Sequence, residues 1–230
     1  MHGHPADGRF RLSDQAETLV PNTPTPFDKA DVSDEEFLRL FAAAVDLLED
    51  SGIDYVLMGG LASSCMGRPR WTHDIDFLVK PDDADRTLEL FEAAGYQTQK
   101  TNPMWLYKAI KDRVVIDIIF KSRGDLYMDD EMIERAQRRD ILGVEAQVVP
   151  PEDLIVIKAA VHDEERPRHW HDAIGLLIRE DLDWEYLVRR ARHATRRVLA
   201  LLLYATSNDI AIPERVIREL FAVAYPQEAT

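Results

Sequence analysis

Asp74 and Asp76 stand two residues apart in the run Asp74-Ile75-Asp76-Phe77-Leu78-Val79, whose branched, aromatic and aliphatic members predict a strand. Successive side chains of a strand alternate between faces, so both carboxylates leave one face while Ile75 and Phe77 turn to the core. Two carboxylates held this close repel, and one takes up a proton unless cations neutralise the pair. A third acid, Asp117, interrupts the apolar run Val114-Val115-Ile116-Asp117-Ile118-Ile119-Phe120, where an unpaired charge would cost on the order of several kcal/mol to bury. If that strand lies beside the first, the three acids make a site for two Mg2+ ions about 3.5–4 Å apart, with Mn2+ able to replace Mg2+. Such a centre stabilises a leaving pyrophosphate and activates a hydroxyl, with Asp117 helping to remove the proton.

Upstream, Ile53 to Met58 is a short apolar run that meets Gly59-Gly60. A strand, a Gly-Gly turn and a helix start bring backbone N–H groups against a phosphate chain, and glycine permits the close approach. Ser63 and Ser64 are candidate hydroxyl donors to the same phosphates, and Arg70, with Arg68 nearby, is a candidate for neutralising their charge. An Asp-x-Asp pair alone is common on surface strands, and it is the combination with the turn and the buried acid that points to catalysis. The spacing of His162, His169 and His171 with Asp163 and Asp172 matches no standard zinc site, so no structural zinc is expected. His73, Trp105 and Tyr107 read as packing residues.

The elements that must position these groups follow from local patterns. Ser33 and Glu36 form a capping box ahead of the helical spacing of Phe37, Leu38, Leu40, Phe41, Val45, Leu47 and Leu48, which ends at Ser51-Gly52. Another short helix is expected from Leu61, and a longer one from Ala84 to Ala94, ended by Gly95. Trp105–Ile110 and Val114–Phe120 flank the polar turn Lys111-Asp112-Arg113 as an antiparallel hairpin, and Val144–Val149 reads as one further strand. After Pro150-Pro151 only helices are expected: Glu152–Val161, Trp170–Ile178, one long helix Trp184–Thr206, and Pro213–Ala224. Arg189, Arg190, Arg192, Arg196 and Arg197 lie on that long helix and read as a solvated face, with an RNA-holding surface as the alternative.

Mixed strands and helices followed by helices alone predict an α/β (α+β) sheet layer with a C-terminal helical module. The expected organisation is a flexible N-terminal tail at 1–30, a catalytic core at 31–150 and the helical module at 151–230. Across 230 residues the net charge is −14, which excludes a protein that coats nucleic acid through a basic surface. Cys65 is the single cysteine, so no intramolecular disulfide is available. No apolar run reaches the roughly 18 residues of a membrane span, and a cytoplasmic location is expected.

Met58-Gly59-Gly60, then Asp74-Ile75-Asp76 and later Asp117, resembles the signature of the DNA polymerase β nucleotidyltransferase superfamily over residues 53–120. Arg70-Trp71-Thr72-His73-Asp74-Ile75-Asp76 is similar to the Arg-x-Thr-x-Asp-Ile-Asp segment of the AbiEii/MenT-like bacterial nucleotidyltransferases, many of which are toxins. The resemblance implies a mixed sheet flanked by helices and a metal-dependent enzyme that moves NMP from an NTP such as ATP to a hydroxyl, releasing pyrophosphate. The implied acceptor is tRNA or a protein, with a cognate antitoxin as the implied partner. The alternatives are an aminoglycoside or lincosamide acceptor, and an inactive nucleotide- or partner-binding module. By the same resemblance Lys158 touches the triphosphate, and Asp172 is a further candidate that positions Lys158 or the acceptor. Many superfamily members carry Gly-Ser where this chain has Gly59-Gly60, so the hydroxyl contact passes to Ser63 or Ser64 or is absent.

Overall fold

In the computed structural model residues 32–165 and 167–226 are described, and the expected tail at 1–30 lies outside them. Helix α1 (Asp34–Ser51) starts where the Ser33 hydroxyl accepts the Glu36 N–H at 3.2 Å and stops at Gly52, whose φ of 65° takes the left-handed C-cap. It leads into β1 (Tyr55–Leu57), α2 (Gly59–Met66) and β2 (Asp74–Val79). A short 3-10 turn at Pro81–Asp83 then opens α3 (Ala84–Ala93), followed by β3 (Gln97–Asn102), β4 (Leu106–Lys111) and β5 (Val114–Ile119). The two-residue link between β4 and β5 has positive φ at both Asp112 and Arg113, the turn whose twist matches a hairpin. After α4 (Asp130–Arg135), β6 (Gln137–Ile141) and β7 (Val144–Val148) complete one seven-stranded mixed sheet in the order β3-β4-β5-β2-β1-β7-β6.

Strand pairs β2–β5 and β1–β7 are parallel and the other neighbours antiparallel. Helix α3 lies against β3, β4 and β5 with α1 beside it. The acids at 74, 76 and 117 alternate with Ile75, Phe77, Ile116 and Ile118, all fully buried. Helix α5 (Pro151–Val161) is buried along most of its length, and α6 (Arg168–Arg179) packs on both α5 and α2. Helices α2 and α6 meet closely because both carry glycine at the contact: a Cβ on Gly175 would stand 2.9 Å from the Arg68 amide nitrogen, and one on Gly67 3.0 Å from the Gly175 carbonyl carbon.

Two expectations are corrected. The single helix from Trp184 to Thr206 is broken into α7 (Trp184–Arg190) and α8 (Thr195–Thr206) by a 3-10 turn at Ala191–His193 and a non-helical Ala194 (φ −156°, ψ 42°). Tertiary docking outweighs the helical pattern there. The His193 carbonyl packs so tightly on Gly124 that a Cβ at 124 would lie 1.9 Å away, and the His193 ring Nδ1 bonds the Gly124 carbonyl at 2.9 Å. Arg190 is likewise no solvated residue: it is buried, with Nε donating to Asp153 at 2.5 Å and Nη1 to Asp129, and Tyr186 donates to the same Asp153. These contacts join α5, α7 and the start of α4, and α9 (Glu214–Ala224) closes against α8 and α7. No helix among the described residues is long and apolar enough to cross a membrane.

Candidate active site

Register decides which acids meet. Asp76 lies directly opposite Asp117 across the parallel β2–β5 pair, and Asp74 lies opposite Val115, so the three carboxylates share one face. On the other side of β5, Lys108 of β4 lies opposite Asp117, extending the row to Lys108, Asp117, Asp76. Asp74 is set by the loop before it, where the Thr72 hydroxyl accepts the Asp74 N–H at 3.2 Å.

The turn after β1 closes over this row. The Met58 N–H donates to the Asp76 carbonyl at 2.8 Å, and Gly59 takes φ 67°. A Cβ at 59 would fall 1.9 Å from Asp76 Oδ2, so glycine is required both by the backbone and by the carboxylate pressed on it. The α2 N-terminus has no side-chain cap, and the Gly60 N–H is turned to the Asp76 carboxylate. Desolvation, with the neighbouring Asp117 and Asp74 charges behind it, pushes the Asp76 pKa up to about 6, although Lys158 and the Gly60 N–H pull the other way. An ionised Asp76 is therefore held at a cost, set first by burial and then by the two adjacent acids.

Lys158 comes to the same place from α5. It is buried, and its amine donates to Asp172 Oδ2 at 2.9 Å. Arg70 grips the same carboxylate through Nε and Nη2, both at 3.1 Å, an approach that the Gly67–Gly175 helix contact makes close enough. Burial lowers the Lys158 pKa against the pull of Asp172. For Asp172, burial alone would raise the pKa, but the Arg70 hydrogen bond and Lys158 hold it below the ordinary carboxylate value.

A cleft of about 700 Å³ is lined by Asp74, Asp76, Asp117, Gly59, Gly60, Arg70 and Lys158, among others. The structure thus brings these seven expected residues together, with Asp172 behind Arg70 and Lys158. It does not bring Ser63 or Ser64 to the cleft. The Ser63 hydroxyl donates to the Gly59 carbonyl at 2.7 Å within its own helix, and the Ser64 hydroxyl ties both the carbonyl and the N–H of Arg70 at 2.8 Å. Serine inside a helix turns its hydroxyl back on the preceding turn, a local competitor that spacing alone does not reveal.

Several lining residues had not been singled out for this role. Lys121, Arg123, Arg168 and His169 lie along the cleft with Met104 and Trp105, and Trp105 is 42% exposed rather than packed away. Lys108 was also missed, although a two-residue turn at 112–113 places it opposite Asp117 by counting back from the hairpin end. Among the described residues no three His, Cys, Asp or Glu side chains are already gathered closely enough to enclose an ion. Asp117 leans instead to Lys108, with Nζ–Oδ1 at 2.5 Å. The donor set nevertheless fits a hard divalent cation: the carboxylates of Asp74, Asp76 and Asp117 share one face and line one cleft.

A mixed α/β sheet that presents acids beside a Gly-Gly helix start and a buried lysine suits an enzyme that handles a phosphate chain. Residues 37–227 match the family described as nucleotidyl transferase of unknown function (DUF2204), and the chain belongs to that family of nucleotidyltransferases. No curated protein matches the sequence. Among solved structures, the chain is similar to an antigenic nucleotidyltransferase-like protein from Paracoccidioides brasiliensis, at 13% identity over 83% of this chain and 94% of that one, with a TM-score of 0.49. It is also similar to the antibiotic-resistance factor ANT(2'')-Ia, at 14% identity, 77% and 95% coverage and TM-score 0.48. A third is a lincosamide antibiotic adenylyltransferase, at 14% identity, 63% and 96% coverage and TM-score 0.44. Membership rests on the family match; the AbiEii/MenT likeness stays a likeness of the 70–76 segment.

Proposed function

We propose that this nucleotidyltransferase moves a nucleoside monophosphate from an NTP to a hydroxyl of RNA or protein, with Asp74, Asp76 and Asp117 holding divalent cations. The observation that carries the reading is the register of Asp76 opposite Asp117 beside the Gly59-Gly60 start of α2. Cations bound there would supply positive charge to the phosphate oxygens and ease ionisation of the acceptor hydroxyl. The start of α2 at Gly59 and Gly60 lets a phosphate chain approach the backbone closely, and Arg70 and Lys158 offer charge to it. Asp172 keeps both cations aimed by bonding each of them. Asp117, whose carboxylate faces the cleft, receives the proton of the acceptor hydroxyl.

The cleft supports an anionic acceptor. Arg123 and Arg168 line it, with Lys121 paired to Asp125 beside them, a charge pattern that favours RNA phosphates over a polycationic aminoglycoside. The test is to incubate the protein with each α-labelled NTP, Mg2+ and total cell extract, then to identify the labelled species. Label on RNA or protein, lost with Asp76→Asn, is expected. Transfer to no acceptor from any NTP, or transfer that Asp76→Asn leaves at the wild-type rate, overturns the proposal.

A further inference from the structure

Asp76 and Asp117 are directly opposed on neighbouring parallel strands, which lie about 4.8 Å apart, with their side chains on one face. An ion could be shared across that gap. Yet the acids are not gathered around one point, and Asp117 Oδ1 sits on the Lys108 amine at 2.5 Å. Lys108 approaches from β4, the far side of Asp117 from Asp76, and is not among the residues that line the cleft. The lysine therefore acts through the carboxylate rather than on a bound nucleotide.

We propose that Lys108 is a built-in counter-ion that holds Asp117 back from Asp74 and Asp76 until a divalent cation displaces it, so that the three-acid centre closes only on loading. The inference rests on the reading of these acids as the cation site. The pair is suited to exchange because its side chains are 27% and 25% exposed, neither dry enough to be locked nor so open as to be fully screened. A divalent ion that gains oxygen ligands from more than one carboxylate outweighs a single ammonium contact. Lys108 is thus a positioning residue: it neutralises Asp117 in the free enzyme and weakens cation binding that would otherwise occur in the absence of nucleotide.

The test is Mn2+ titration of the full chain, with free Mn2+ followed by electron paramagnetic resonance and the fold checked by circular dichroism. Removing the competing charge with Lys108→Met should tighten Mn2+ binding roughly fivefold, the order expected for a partly exposed ion pair. Lys108→Gln should do the same and keeps the test decisive if the methionine variant does not fold. Lys108→Arg, which restores the cation, should bind Mn2+ as the wild type does. Unchanged or weaker binding in folded Lys108→Met and Lys108→Gln overturns the counter-ion role and leaves the cation site standing, provided that Asp76→Asn abolishes binding. Mn2+ binding indifferent to Asp76→Asn, or no binding by any of these proteins, overturns both readings.

Discussion

Replacing Asp76 by asparagine should stabilise the metal-free protein at neutral pH while abolishing NMP transfer. Its folded pKa of about 6 lies above the ordinary value of 3.8, chiefly because burial penalises the charge and because Asp117 and Asp74 repel it. A carboxyl whose pKa rises on folding destabilises the fold wherever the unfolded chain would ionise it. The penalty is fully present above about pH 6, shrinks as the pH falls through 6, and is gone below about pH 4. A gap of about two units corresponds to roughly 3 kcal/mol as an upper figure, and to less in so far as the half-buried side chain borders the cleft. The asparagine keeps an oxygen for the Gly60 N–H, so little else is lost. Thermal melts in chelator at pH 8 should place Asp76→Asn above the wild type by about 2–4 °C per kcal/mol gained, and melts at pH 4 should place the two together. With saturating Mg2+ the order should reverse, since only the wild type gains from the ion. A variant less stable than the wild type at pH 8 in chelator, or equally more stable at both pH values, would refute the argument that ionising the buried Asp76 beside two other acids destabilises the fold.

Gly59→Ala forces a side chain into a left-handed backbone and onto Asp76 Oδ2; it should cost roughly 1–3 kcal/mol in urea unfolding and lower transfer more than tenfold. Asp172→Ala leaves Lys158 buried without its carboxylate, so a loss of about 3 kcal/mol in stability is expected together with weaker NTP binding by calorimetry. Arg190→Ala strands the buried Asp153, which is more than a turn of α5 from Lys158 and does not line the cleft, and should lower stability by about 3–5 kcal/mol in denaturant melts while leaving the NTP affinity of the folded fraction unchanged.

Where the sequence concentrated apolar residues, its periodicity named the element. The core strands β2 and β5, the capped α1 and the buried α5 were all legible because each must fill a fixed face of the core. The strands left unread are the two edges of the sheet. Gln97–Asn102 and Gln137–Ile141 are largely polar or charged, the composition that keeps an edge from recruiting another chain, and it hides the alternation by which a strand is recognised. The short α4 was missed for a related reason: six residues carry too little of a helical period, and Asp129 caps it with a hydrogen bond that only the fold reveals.

The site was legible to the extent that it is written along strands. A period of two puts Asp74 and Asp76 on one face, and an acid inside an apolar strand announces that a partner exists, but neither says which partner wins. Settling that requires the neighbouring strand on each side, because Asp117 stands between Asp76 on β2 and Lys108 on β4 and is offered a repelling charge and an attracting one at similar range. The arginine–lysine grip on Asp172 has the same origin at longer range, joining residues 102 positions apart through a helix contact that depends on two glycines. Sequence spacing identifies the groups that must be compensated, whereas the compensation itself is a property of packing. Where acids cluster beside basic side chains, as Asp117 does beside Lys108 and Asp172 beside Arg70 and Lys158, the protein's own ammonium and guanidinium groups take up the charge.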